Sequence, residues 1–106
     1  MIDAAETAQR FAAGRRRDGL DADQMLLFAL VRAIEIIGEA ASRVTQETRA
    51  ATPTVPWASI VGMRNRLVHA YFDIDKDILW QTVTEEIPPL IALLKSIFPE
   101  DESQSA

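Results

Sequence analysis

From Leu27 onward an apolar residue recurs every three or four positions: Leu27, Leu30, Ile34, Ile37, Ala41 and Val44. That step follows one face of an α-helix. A second row, Leu26, Ala29, Ala33, Ile36 and Ala40, runs beside it. Two adjacent rows make an apolar face wider than one partner helix needs. The helix, predicted over 22–49, is therefore expected to pack inside its own bundle and also against another chain. Asp21 stands three residues before Gln24, the spacing of a capping box that would open this helix. Gly38 interrupts good helix formers at a cost of about 1 kcal/mol against Ala. A close helix–helix approach at that point is the expected reason.

Three further helices follow from the pattern. Ile2, Ala5, Phe11 and Ala12 give a thin stripe over 3–13, and an arginine-rich break covers 14–19. Pro53 and Pro56 punctuate 51–56, and Pro56 suits the first turn of a helix predicted to run to Tyr71 or Phe72. Asp73 and Asp75 read as turn and cap residues. The last helix is predicted from Asp75 through Ile78, Leu79 and Val83, with a kink or restart at Pro88-Pro89, because proline has no amide proton to donate. Leu90, Ile91, Leu94 and Ile97 form its final stripe. No strand pattern or internal repeat is present. The expected fold is all-α, an up-down four-helix bundle in one domain over 1–99. The acidic tail over 100–106 is expected to be disordered.

Composition narrows the class. The 106 residues suit one domain, and the absence of cysteine excludes disulfides and thiolate metal sites. The start of the chain lacks the basic and apolar stretches of a signal peptide, and no run approaches a membrane span. A cytoplasmic location is expected. The formal net charge of -5 argues against a protein that coats DNA or RNA non-specifically. It leaves room for an RNA-cutting site with a local basic patch, for which Arg15-Arg16-Arg17 and Arg64/Arg66 are the candidates. The first is expected to be a solvated loop.

The second patch lies in the run Arg64-Asn65-Arg66-Leu67-Val68-His69-Ala70-Tyr71. On a continuous helix Ile60, Met63, Leu67 and Ala70 would share the core face, while Arg64, Asn65, His69 and Tyr71 would surround a strip of Val61, Val68 and Phe72. Taken singly, each polar residue has a structural reading: a hydrogen-bonded histidine, a salt-bridged arginine, a packed tyrosine. Their grouping suggests phosphodiester cleavage. Histidine exchanges protons near neutral pH, and arginine offers a planar fork to phosphate oxygens. RNA supplies its own nucleophile, the 2′-hydroxyl. Cleavage is best served by both a base and an acid, yet the chain has one histidine. That shortage and the spare apolar row both suggest a composite site at the interface of a homodimer. Glu39 could orient Arg64 across the bundle or pair locally with Arg43, and the local pairing is favoured; Glu35 lies one turn before it. No metal site is expected, since Asp73, Asp75 and Asp77 lack the glycine and terminal glutamate of a calcium loop.

Four stretches together carry a resemblance: Ala33 to Ala41, Val55-Pro56-Trp57, Gly62 to Phe72, and Ile78-Leu79-Trp80. In order and spacing they resemble the HepT-like branch of the HEPN proteins from about Leu26 to Leu94. The resemblance implies a HEPN-like dimeric fold and a metal-independent RNA endonuclease needing no cofactor, acting as the toxin of a toxin–antitoxin pair. It places the catalytic pair on Arg64 and His69, the polar residue after the arginine on Asn65, and a modifiable tyrosine on Tyr71. It further implies a cognate nucleotidyltransferase antitoxin that adenylylates Tyr71. Arg66 and Glu39 remain candidates for support of the site. The competing reading is a non-enzymatic helical module that docks on a nucleotidyltransferase and holds a nucleotide at Arg64 and His69.

Overall fold

Polar side chains cap the starts of three helices in the computed structural model, which describes residues 1–68 and 73–98. The chain forms α1 (Ile2–Ala12), α2 (Gly19–Ala22), α3 (Gln24–Ser42), α4 (Gln46–Ala51), α5 (Trp57–Val61), α6 (Met63–Leu67), α7 (Lys76–Gln81), a π turn (Thr82–Glu86) and α8 (Ile87–Ile97). Among the described residues the only β pairing is an isolated bridge between Val68 and Ile74. The expected tail over 100–106 lies outside the described residues.

The long helix is shorter than its apolar pattern predicts. Asp23, not Asp21, opens it by accepting a hydrogen bond from the Leu26 amide at 3.1 Å. Asp21 belongs instead to the short α2. At the other end α3 stops at Ser42 instead of continuing to Arg49. Thr45 caps a new helix by accepting from the Thr48 amide, a threonine signal hidden behind the apolar repeat. Arg49 then turns back and donates to the carbonyls of Ala41 and Val44, at 2.9 and 3.2 Å. The Ala41 carbonyl also accepts from the Val44 amide at 3.2 Å, so a side chain from the next helix adds to the backbone closure of the helix end.

The core gathers around α3. Leu30, Ile34 and Ile37 are fully buried, and α1 lies against them through Ala5 and Ala8, whose small side chains permit the approach. On another side α3 meets α5 and α6, and α1 also meets α8. Gly38 sits at the crossing with α5. A Cβ built on it would stand 3.4 Å from the carbonyl oxygens of both Ile60 and Val61, which accounts for the glycine in mid-helix. A positive φ of 72° at Gly14 lets the chain turn after α1.

The last helix restarts as expected, by way of a π turn. Pro88 and Pro89 cannot donate to the carbonyls four residues earlier, and they occupy the first turn of α8. Just before them the Ile87 amide donates to the Thr82 carbonyl, five residues back. Thr82 is buried, and its hydroxyl donates to the Ile78 carbonyl at 2.8 Å.

The arginine-rich break is a fastening. Arg15 pairs with Asp23 at 2.9 Å, and Arg17 pairs with Asp77 at 2.6 Å and Asp21 at 3.2 Å. Lys76 closes the network on Asp21 at 3.1 Å. The Lys76 hydrogen bond, followed by the nearby positive charge of Arg17, holds the Asp21 carboxyl below its ordinary value. The hydrogen bond to Asp77 similarly holds the Arg17 guanidinium above its own. This network ties α2 to the start of α7.

Two outcomes follow. Gly38→Val, which adds methyl groups beyond a Cβ already in contact, is expected to cost about 1–3 kcal/mol of stability, whereas Gly38→Ala stays within about 1 kcal/mol of the parent; chemical denaturation checks both. Because the Asp21 pKa is depressed on folding, its contribution is present above the unfolded value of 3.8 and is lost as pH falls through the folded value. Asp21→Asn should therefore lower the thermal midpoint at neutral pH and low salt, with the difference from wild type closing well below pH 3.8.

Candidate active site

Arg64 and Asn65 are exposed on α6, while Met63 and Leu67 on either side of them are buried. The buried pair anchors the short helix and turns the two polar residues outward. Behind Arg64 lies α3, brought close by Gly38. The two elements enclose an open cleft of about 290 Å³ lined by Glu35, Gly38, Glu39, Ser42, Val61, Arg64 and Asn65. Its rim is polar and its base is small and apolar.

Charged partners are divided around this cleft. Glu39 takes the local partner, Arg43, at 2.8 Å. The acid facing Arg64 is Glu35, whose carboxylate oxygen lies 3.7 Å from Arg64 Nε. Arg66 turns to the other flank, where Nη2 donates to the Ser59 carbonyl at 3.3 Å and lies 3.5 Å from Glu86. Glu86 closes the π turn, so that irregular stretch supplies the partner of Arg66. Of the two arginines in the motif, Arg64 faces the cleft and Arg66 is held by neighbouring backbone and an acid. Sequence reasoning noted Glu35 but tied it to no partner, and it missed Glu86. Gly38 was the usable signal for the first, since it marks where α3 crosses α5, and the helix bearing Arg64 follows α5 after Gly62 alone.

The predicted continuous helix to Tyr71 or Phe72 is not found. α6 ends at Leu67, and Val68 is extended at φ −108° and ψ 119°. The Leu67 carbonyl accepts from the Asp75 amide at 2.7 Å, and Val68 bridges to Ile74. Two β-branched residues meeting in extended form, beside a helix carbonyl already taken, account for the stop. The angular relations drawn on a helical wheel from Arg64 therefore extend only as far as Leu67. His69, Ala70, Tyr71 and Phe72 themselves lie outside the described residues. The segment's feet are nevertheless defined, because Val68 and Ile74 are tied to each other directly after α6. Among the described residues no three acidic or histidine side chains gather in a way that could hold a metal ion.

Over residues 1–97 the chain matches the HepT-like ribonuclease family. It belongs to that family. It is 44% identical over 68 residues to a protein of Thermococcus cleftensis named probable ribonuclease HepT, covering 64% of this chain and 62% of that one. A Methanocaldococcus jannaschii protein with a provisional RNase name shows the same 44% over 68 residues, covering 62% of its own length. A Caldanaerobacter subterraneus protein, also provisionally named an RNase, is 41% identical over 80 residues, which is 76% of this chain and 71% of its own. The chain thus spans about 62% of the length of the first two relatives. No solved structure matches it.

Proposed function

We propose that this HepT-like chain is a metal-independent RNA endonuclease whose site combines Arg64, Asn65 and His69 from two copies of the chain. One observation carries the reading: Arg64 is exposed at a cleft beside Asn65, on a helix end from which the chain leads within two residues to His69. In this reaction one His69 takes the proton from the 2′-hydroxyl, whose oxygen attacks the adjacent phosphorus. Arg64 stabilises the charge that develops on the phosphoryl oxygens. The 5′-oxygen leaves with a proton from the partner's His69, giving a 2′,3′-cyclic phosphate and a 5′-hydroxyl end.

The dimer has support on the surface of α3. Phe11, Met25, Phe28 and Ile36 are large apolar residues left exposed. Phe11 and Ile36 line an almost wholly apolar groove with Ala4, Thr7, Ala29, Arg32 and Ala33. Ile36 stands about 100° around α3 from Glu35, with Phe28, Arg32 and Met25 between them. The apolar strip thus adjoins the Arg64 cleft, and a second copy seated there would border it. The proposed architecture is a HEPN-like four-helix arrangement, paired about a two-fold axis.

Membership of the family further supports a role as the toxin of a toxin–antitoxin pair, neutralised by a nucleotidyltransferase that transfers adenylate from ATP to the Tyr71 hydroxyl. Tyr71 is two residues from His69, so an attached phosphate would place negative charge beside the residues that must receive the RNA phosphate.

Arg64→Ala and His69→Ala are each expected to reduce cleavage of total bacterial RNA by about 10²–10⁴-fold without loss of helicity, and EDTA is expected to leave cleavage unchanged. Activity that needs added magnesium or survives His69→Ala would refute the mechanism. Tyr71→Phe is expected to keep nuclease activity and to escape neutralisation. Intact-mass spectrometry after co-expression with the nucleotidyltransferase should show adenylate on the parent chain and none on this variant; equal modification of both would move the switch away from Tyr71.

A further inference from the structure

We infer that Glu35 is a positioning residue that presents Arg64 to the phosphate. This deepens the ribonuclease reading and rests on it.

The contact is made at one edge of the guanidinium. Glu35 Oε2 lies 3.7 Å from Arg64 Nε, on the side-chain's inner edge. A guanidinium carries five N–H donors, one on Nε and four on the two Nη atoms, arranged as a planar fork. A carboxylate on the Nε side leaves the Nη1–Nη2 end available for two phosphoryl oxygens. At 3.7 Å the two groups attract without a hydrogen bond, so Arg64 is oriented while its donors stay uncommitted.

Both side chains stand on fixed ground. Glu35 follows Ile34 and precedes Ile37 by two residues, and both isoleucines are fully buried. Arg64 lies between Met63 and Leu67, buried on α6. One turn beyond Glu35, Gly38 sets how near α3 comes to α5, and Gly62 alone separates α5 from α6. The neighbouring charges are committed elsewhere: Glu39 to Arg43, and Arg66 to Ser59 and Glu86. Glu35 is therefore the acid that addresses Arg64 in the cleft. A stabilising role alone explains less, because an ion pair with both members partly exposed adds little to folding.

The test compares Glu35→Gln, which keeps the shape and removes the charge, with Glu35→Asp, in the full chain. The substrate is an end-labelled single-stranded oligoribonucleotide that the parent chain cuts. Glu35→Gln is expected to lower kcat about tenfold, short of the roughly hundredfold loss that a misplacement on the order of 1 Å can cause. KM and the thermal midpoint should stay near the parent values, and Glu35→Asp should recover part of the loss. In an Arg64→Lys background, which has no Nε edge to hold, Glu35→Gln should cause no further decrease. An unchanged kcat, or the same fractional loss in both backgrounds, overturns the inference.

A second readout does not depend on cleavage. The NMR signal of the Arg64 Nε–H group should shift and become more mobile in Glu35→Gln, and an unaltered signal also overturns the inference. A parent chain that cuts no RNA would instead defeat the ribonuclease reading, and the Nε–H signal would then decide alone whether Glu35 holds Arg64.

Discussion

Where α3 crosses α5, Gly38 faces the carbonyl oxygens of Ile60 and Val61, each 3.4 Å from where a Cβ would stand. Much of the candidate site depends on that separation. It brings the polar side of α3 against the helix that carries Arg64, so a cleft forms between them. An alanine at 38 would just touch those oxygens, whereas a branched residue would press α5 outward. The glycine's weak helix propensity is accepted within a helix otherwise held by Leu30, Ile34 and Ile37 in the core.

The charges around that contact explain how an acidic chain can leave one arginine at an open cleft. With a formal net charge of -5, the protein as a whole does not attract RNA from a distance. Recognition has to be local. Arg15 and Arg17 are engaged in fastening α2 to α3 and α7, and Arg66 is engaged with Ser59 and Glu86. Arg64 keeps a looser contact, at the open side of the molecule. The apolar strip of Phe11, Met25, Phe28 and Ile36 beside it supplies area on which a second copy could settle, bringing the other half of the proposed site.

The Val68–Ile74 bridge changes how the motif is understood. An Arg-x4-His spacing on an unbroken helix would fix both side chains by helical rotation alone. Here the helix ends one residue before the bridge, and the Leu67 carbonyl is taken by the Asp75 amide. Helical rotation along α6 therefore reaches no further than Leu67.

The apolar repeat by itself determined the all-helical class, the core face of α3, the reason for Gly38, the cap at Asp75 and the restart at Pro88-Pro89. Those features depend on spacing along one helix or on the chemistry of one residue, both of which are written locally. The grouping of Arg64, Asn65, His69 and Tyr71, with the family resemblance around it, was legible for the same reason. Tertiary structure decided where helices stop and which charges meet. The apolar rows of α3 continue in pattern past Ser42, but the helix stops there, Thr45 caps a new one, and Arg49 folds back onto the carbonyls of Ala41 and Val44. Spacing pointed to Asp21 as the cap of the long helix, yet Asp23 caps it, and Asp21 pairs with Lys76 and Arg17 arriving from elsewhere. Glu35 and Glu39 likewise differ little in sequence. Which one faces Arg64 depends on how α3 and α6 cross, and a crossing is a property of packing that no single helix specifies.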